Sequence, residues 1–177
     1  MQAQEIKFIP LAIKTIVVHT VTYFVMGLLA STLLSYGSWF ARSDLSSFMR
    51  QIDDPLVMAG PLFQPIRGLL FAVVFYLLRD VLFGRKNGWL VMWVLLVFVG
   101  ILSTFGPSPG SVEGMIYTVL PFLDHFKGWP EVMVQALLFS LILTYWVRHP
   151  EKRWLTWLLA AAFVIVLLLP IMGLLFA

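Results

Sequence analysis

Cysteine is missing from the 177 residues, and that one absence removes disulfides, thiolate metal sites and cysteine nucleophiles. Charge is scarce as well. Asp, Glu, Lys and Arg make up 12% of the chain, against roughly 25% in a typical soluble domain. The three histidines never fall at the ligand spacing of a helical H-E-x-x-H site, and no G-x-x-x-x-G-K-[ST] loop is present. Internal repeats are lacking too, so the inverted-repeat plan of many transporters has no support. The sequence therefore names no metal set, no cofactor and no catalytic residue. Ser103, Ser108 and Ser111, with His125 downstream, are the nearest approach to a hydrolase constellation. A serine and a histidine in one loop carry little weight, so an intramembrane enzyme acting on a lipid-like substrate ranks third.

What the chain has is apolar length. Hydrophobic residues reach 60% and the mean hydropathy is +0.93. Runs of about 20 apolar residues are what a bilayer-crossing helix needs. The composition predicts one all-α, multi-pass membrane domain over residues 1–177, with the lipid bilayer as its solvent. Five spans are expected: Thr15 to Leu34, Ile66 to Phe83, Trp89 to Phe105, Glu131 to Val147 and Trp154 to Phe176. The first is longer than the roughly 7–15 apolar residues of a signal peptide and is read as a retained helix. Pro61 and Pro65 suit a helix's first turn and place the start of the second span there.

The net charge of +3 and pI near 9.4 resemble those of a nucleic-acid binder, but the placement of the charges excludes that reading. Lys7, Lys14, Arg85, Lys86, Arg148, Lys152 and Arg153 fall on one side of the predicted spans. Asp44, Asp53, Asp54, Glu113, Asp124 and Glu131 fall on the other. By the positive-inside rule the N-terminus is cytoplasmic and the C-terminus outside, in a plasma (inner) membrane. The seven tryptophans are read as interfacial belts.

Two outer segments stand out. Leu45, Phe48, Met49 and Ile52 are spaced i, i+3, i+4, i+7, which predicts an amphipathic helix lying in the interface. The stretch Ser103 to Pro130 combines helix breakers with Glu113, Asp124, His125 and Lys127. Its apolar part, 114–123, is too short to span and has the length of a re-entrant or interfacial segment.

Five residues are the ligand-binding candidates: His19, Arg67, Glu113, His125 and Gln135. His19 shares a helical face with Thr15, Thr22, Met26 and Ala30, a pattern that close helix packing also explains. Arg67 carries the largest energetic question. A cation at the centre of a membrane helix costs about 2.5–3.5 kcal/mol and must pair. One near a helix end snorkels to the headgroups at little cost, the case that Pro61 and Pro65 favour. Glu131, in a predicted first turn, is accounted for by the helix dipole. Ionisable side chains within spans mark functional sites by default, so the leading expectation is a transport or ligand-binding protein. Its outward-facing site would form around the loop 103–130. A non-catalytic accessory or assembly subunit is the alternative. Five helices enclose little volume, so a carrier of this size calls for a homo-oligomer or a partner membrane subunit.

Overall fold

The computed structural model describes residues 6–42, 44–47 and 49–176. The chain is all-α. Helix α1 (Phe8–Leu33) is followed by the short α2 (Tyr36–Phe40) and α3 (Pro55–Met58), then α4 (Gly60–Leu77) and the single turn α5 (Arg79–Leu82). Helix α6 (Gly88–Val94) runs directly into a π-helix, Leu95–Leu102. Beyond it come α7 (Val112–Tyr117), a 3-10 turn (Phe122–Phe126), α8 (Trp129–Arg148) and α9 (Arg153–Phe176).

Four helices are long and apolar enough to cross a membrane, and Gly88–Leu102 is a shorter apolar fifth. At a rise of 1.5 Å per residue, α1 reaches about 39 Å and α9 about 36 Å. Residues 88–102 reach about 22 Å at most, less than the ~30 Å hydrocarbon thickness.

Helix α1 is the axis of the bundle and packs against α4, α8 and α9. It runs antiparallel to α4, with Phe8 meeting Tyr76 at 5.4 Å between ring centroids and His19 meeting Gln64. The crossing is tightest at Gly68, where a Cβ would lie 2.7 Å from the Ile16 Cα. Only glycine permits that approach, as expected where membrane helices pack through small residues. The expected inward face of α1 is buried at Thr15, His19, Thr22 and Ala30. Thr15 and Thr22 return their hydroxyls to the carbonyls of Leu11 and Val18, so neither brings an unpaired donor into the core. Phe75, Phe139, Leu143 and Met92 fill the space between the helices.

Both basic turns lie at one end of the bundle. The Arg148 guanidinium donates to the carbonyls of Phe83, Arg85 and Lys86, joining the turn after α8 to the turn before α6. Lys14 caps the same end by donating to the Trp146 carbonyl at 2.8 Å.

Several boundaries depart from the sequence reading. Helix α1 starts at Phe8 rather than Thr15, and Lys14 lies inside it. Helix α4 starts at Gly60, which leaves Pro65 in its interior. An internal proline is tolerable there because only one carbonyl, a turn from the helix end, loses its partner. The expected amphipathic helix over 45–52 does not form. Residues 44–47 are turns, and Phe48 lies outside the described residues. Arg42 instead grips Asp44 two residues on, and Asp54 caps α3 by accepting from the Leu56 N–H at 2.8 Å. Such local side-chain bonds compete with helix formation. The tryptophan belt also holds only in part. Trp154 and Trp157 are exposed, whereas Trp39 and Trp146 are buried in the protein.

Candidate functional site

A cavity of about 340 Å³ opens among α1, α4, the π-helix and α8. His19 and Tyr23 come from α1, Arg67 and Phe71 from α4, Gly100 and Ile101 from the π-helix, and Glu131 and Gln135 from α8. It lies toward the end of the bundle away from the basic turns. Arg67 is seven residues into α4, about 10 Å from that helix's start.

Each polar group has a defined setting. His19 is buried, with its ring edge-on to Phe71 at 5.0 Å and tilted on Phe139 at 5.3 Å. Its Nε2 sits 3.1 Å from Gln64 Oε1. The Gln64 amide nitrogen donates to the Gly60 carbonyl, which fixes Oε1 as the acceptor and assigns the proton to His19 Nε2. His19 Nδ1 is then a buried acceptor with no partner among the described residues.

Arg67 forms no ion pair among the described residues, whose salt bridges join Arg42 to Asp44, Arg42 to Asp124 and Arg50 to Asp54. Arg67 is exposed, and its guanidinium lies 5.5 Å from the Phe71 ring centroid, a cation–π contact. On the α8 wall, Glu131 Oε2 accepts from the Tyr36 hydroxyl at 2.5 Å. Burial, and then this bond, push the Tyr36 phenol above its ordinary 10.0. Tyr36 is delivered by a reversal of the chain after α1, where Ser35 adopts φ 52°.

Of the five expected residues, the structure brings His19, Arg67 and Gln135 to this cavity and leaves Glu113 and His125 outside it. None of its lining comes from 103–130, so this cavity is not built from that loop. The loop is a self-supporting cap. His125 is buried and its Nδ1 accepts from the Gly110 N–H at 3.1 Å. Trp129 donates to the Gly110 carbonyl at 3.0 Å, and Gly110 has φ +87°, a conformation that favours glycine. Glu113 occupies the first turn of α7, whose start is capped by Ser111 accepting from the Gly114 N–H. Asp124 is engaged by Arg42 at 2.8 Å. Among the described residues no three His, Asp or Glu side chains gather as a metal would need.

The same loop carries a motif that the sequence reading passed over. Gly106 to Gly110 spells G-x-S-x-G around Ser108. In a nucleophile elbow that serine sits on a sharp strand-to-helix turn beside its base. Here the turn follows a π-helix, and Ser108 Oγ lies 3.3 Å from Thr104 Oγ1. No hydrogen bond joins Ser108 to His125, whose Nδ1 accepts from the Gly110 N–H.

Glu131 and Tyr23 were also missed as cavity residues. The i, i+4 spacing of Glu131 and Gln135 was the available signal, since it puts both on one face of α8. A second, smaller cavity of about 260 Å³ lies at the basic end beside Lys7 and Lys14, where Lys14 is already committed to Trp146. Comparison of the chain with family models, with curated proteins and with solved structures finds no match.

Proposed function

We propose that this is a ligand-binding membrane protein whose site is the cavity bounded by His19, Tyr23, Arg67, Glu131 and Gln135. One observation carries the reading. Helices α1, α4 and α8 each deliver a titratable side chain to a single cavity, and the cation among them has no ion-pair partner among the described residues. An intramembrane cation left without a carboxylate is expensive, and a ligand acceptor is the simplest group to complete it. About 340 Å³ falls at the lower end of the ~300–1,000 Å³ range of small-molecule pockets.

The reading includes an orientation. The paired basic turns face the cytoplasm, five helices cross a plasma membrane, and the cavity lies in the outer half. Glu113 and His125 then serve the cap over that half rather than the site. A partner membrane subunit is the second reading, favoured by the apolar side chains Phe105, Val119 and Leu123 that the cap leaves exposed. In a thermal-shift screen of the purified protein against anions, zwitterions, lipids and small metabolites, a cavity ligand raises the melting temperature. Arg67→Leu abolishes that rise. A rise of the same size in the variant would sink the role of Arg67.

A further inference from the structure

The cavity has walls of unequal completeness. Helix α4 packs on α1, the helix 88–102 packs on α8, and the two share no substantial contact. Between them the cavity meets the bundle's outer surface. Exposed residues edge this opening: Arg67 and, at 64%, the apolar Leu70 of α4, with Gly100 in open space across from them. In a membrane protein this surface faces acyl chains, so the opening is lateral, toward lipid.

The interior has a charge pattern as well as a shape. Arg67 lies on the α4 wall and Glu131 on the α8 wall, and they form no salt bridge with each other. His19, Tyr23 and Gln135 supply hydrogen-bonding groups beside them, and His19 Nδ1 is a buried acceptor without a partner among the described residues. A cation and a carboxyl held apart in one pocket match a ligand that carries an anion at one end and an ammonium at the other. Each charge then receives an opposite charge without both protein groups having to be neutralised.

Resting on the binding role just proposed, we infer that the cavity takes the headgroup of a zwitterionic phospholipid bearing a primary amine. Its phosphate lies on Arg67, its ammonium lies toward Glu131, and its acyl chains pass out between α4 and the π-helix. A guanidinium binds phosphate oxygens bidentately. A primary ammonium donates three hydrogen bonds, as a lysine does, whereas a quaternary ammonium donates none. A cavity of about 340 Å³ suits a headgroup and leaves the chains in the lateral groove. The shared chemistry also exists in free ethanolamine phosphate, so the test must separate a lipid from its soluble headgroup.

Native mass spectrometry and thermal shift on the purified full chain would decide, with phosphatidylethanolamine, phosphatidylcholine, phosphatidylglycerol and free ethanolamine phosphate as probes. The expected result is retention of phosphatidylethanolamine, with about tenfold weaker binding of phosphatidylcholine for each charge-assisted hydrogen bond lost. Arg67→Ala and Glu131→Gln should each weaken retention by at least that factor. Gly100→Trp blocks the lateral groove and should exclude the lipid while leaving ethanolamine phosphate binding intact. No atom lies within 4 Å of where the Gly100 Cβ would stand, so the fold should accept the change, and circular dichroism would verify that. Three results overturn the lipid assignment while leaving the cavity as a binding site: preference for phosphatidylglycerol, binding of ethanolamine phosphate without the lipid, or stabilisation only by another ligand class through Arg67. If no probe and no screened ligand stabilises the protein, the binding role itself fails.

Discussion

An exposed guanidinium about 10 Å from the start of a membrane helix, supported by a phenylalanine ring and by no carboxylate among the described residues, works against the protein that carries it to the extent that it does not snorkel to the headgroups. The cost near a helix centre is about 2.5–3.5 kcal/mol, several times the roughly 0.6 kcal/mol of an average interhelical hydrogen bond in a membrane. The His19–Gln64 contact cannot offset it. Arg67→Leu should therefore leave the ligand-free protein as stable as wild type or more so, while the ligand-induced rise in melting temperature disappears. Tyr36 is the opposite case, a residue that stabilises. Its bond to the Glu131 carboxyl is of a kind worth about 1.5–3 kcal/mol, so Tyr36→Phe should lower stability by about that much in a denaturation series. The pH dependence has two limbs. The Tyr36 pKa is raised above 10.0, so its contribution is complete below that value and is lost as pH rises through the folded-state value. Asp44 and Asp54 are lowered from 3.8, by Arg42 and by Arg50 respectively. What they contribute is present above that value and is lost as pH falls through their folded-state values. Trp39 stands 5.5 Å from Tyr36, so its fluorescence should hold steady across neutral pH and change at both extremes. The alkaline change should vanish in Tyr36→Phe. At this scale the sequence reading found Arg67 and His19, because a polar atom in an apolar run is conspicuous. It gave Glu131 to the helix dipole, which explains an acid in a first turn without pointing to the cavity.

Elements show a different balance between pattern and context. Apolar length revealed the four long helices, since nothing but a bilayer-spanning helix uses runs of that size. Boundaries were harder to read. Pro65 resembles a start signal, yet α4 begins at Gly60 because Asp54 has already capped the turn before it. The 45–52 periodicity was real but lost to side-chain bonds made by Arg42 and Asp54. Glycine spacing gave no warning of the α1–α4 crossing, which depends on where two helices distant in sequence meet. Gly68→Leu should separate α1 from α4, because its Cβ would fall 2.7 Å from the Ile16 backbone and backbone cannot rotate away. The expected outcome is a large loss of thermal stability together with loss of ligand binding, since His19 and Arg67 sit on those two helices. A melting temperature within a degree or two of wild type would show that the crossing is looser than described. Gly100→Ala, with open space around it, is the matched control and should change little.

For the molecule as a whole, the arrangement of charge matters more than its amount. The contacts from Arg148 to the Phe83, Arg85 and Lys86 carbonyls gather both basic turns into one face, and Arg42 with Asp124 secures the cap at the other. Because the native chain has no cysteine, every introduced thiol is a unique reporter. Lys86→Cys and Glu151→Cys should resist a membrane-impermeant maleimide added to intact cells, and Ser46→Cys and Val119→Cys should react. The reverse pattern would invert the topology, and labelling of all four would break the five-span count. The cavity was the least legible property of the sequence, because a space enclosed by four helical segments that meet only in the folded bundle has no local signature.

The π-helix has a consequence for how this protein can vary. Its i→i+5 bonds place more residues in each turn than the 3.6 of an α-helix. Loss of one residue within Leu95–Leu102 would let the segment relax to α geometry, and the tighter winding of the residues that remain would make up most of the turn the deletion removes. The flanking segments, and the polar residues of α1, α4 and α8, would keep close to their places, and the change would fall on the cavity wall that Gly100 and Ile101 supply. A single-codon deletion here, usually ruinous inside a membrane helix, would instead act as a dial on the shape of the lateral opening.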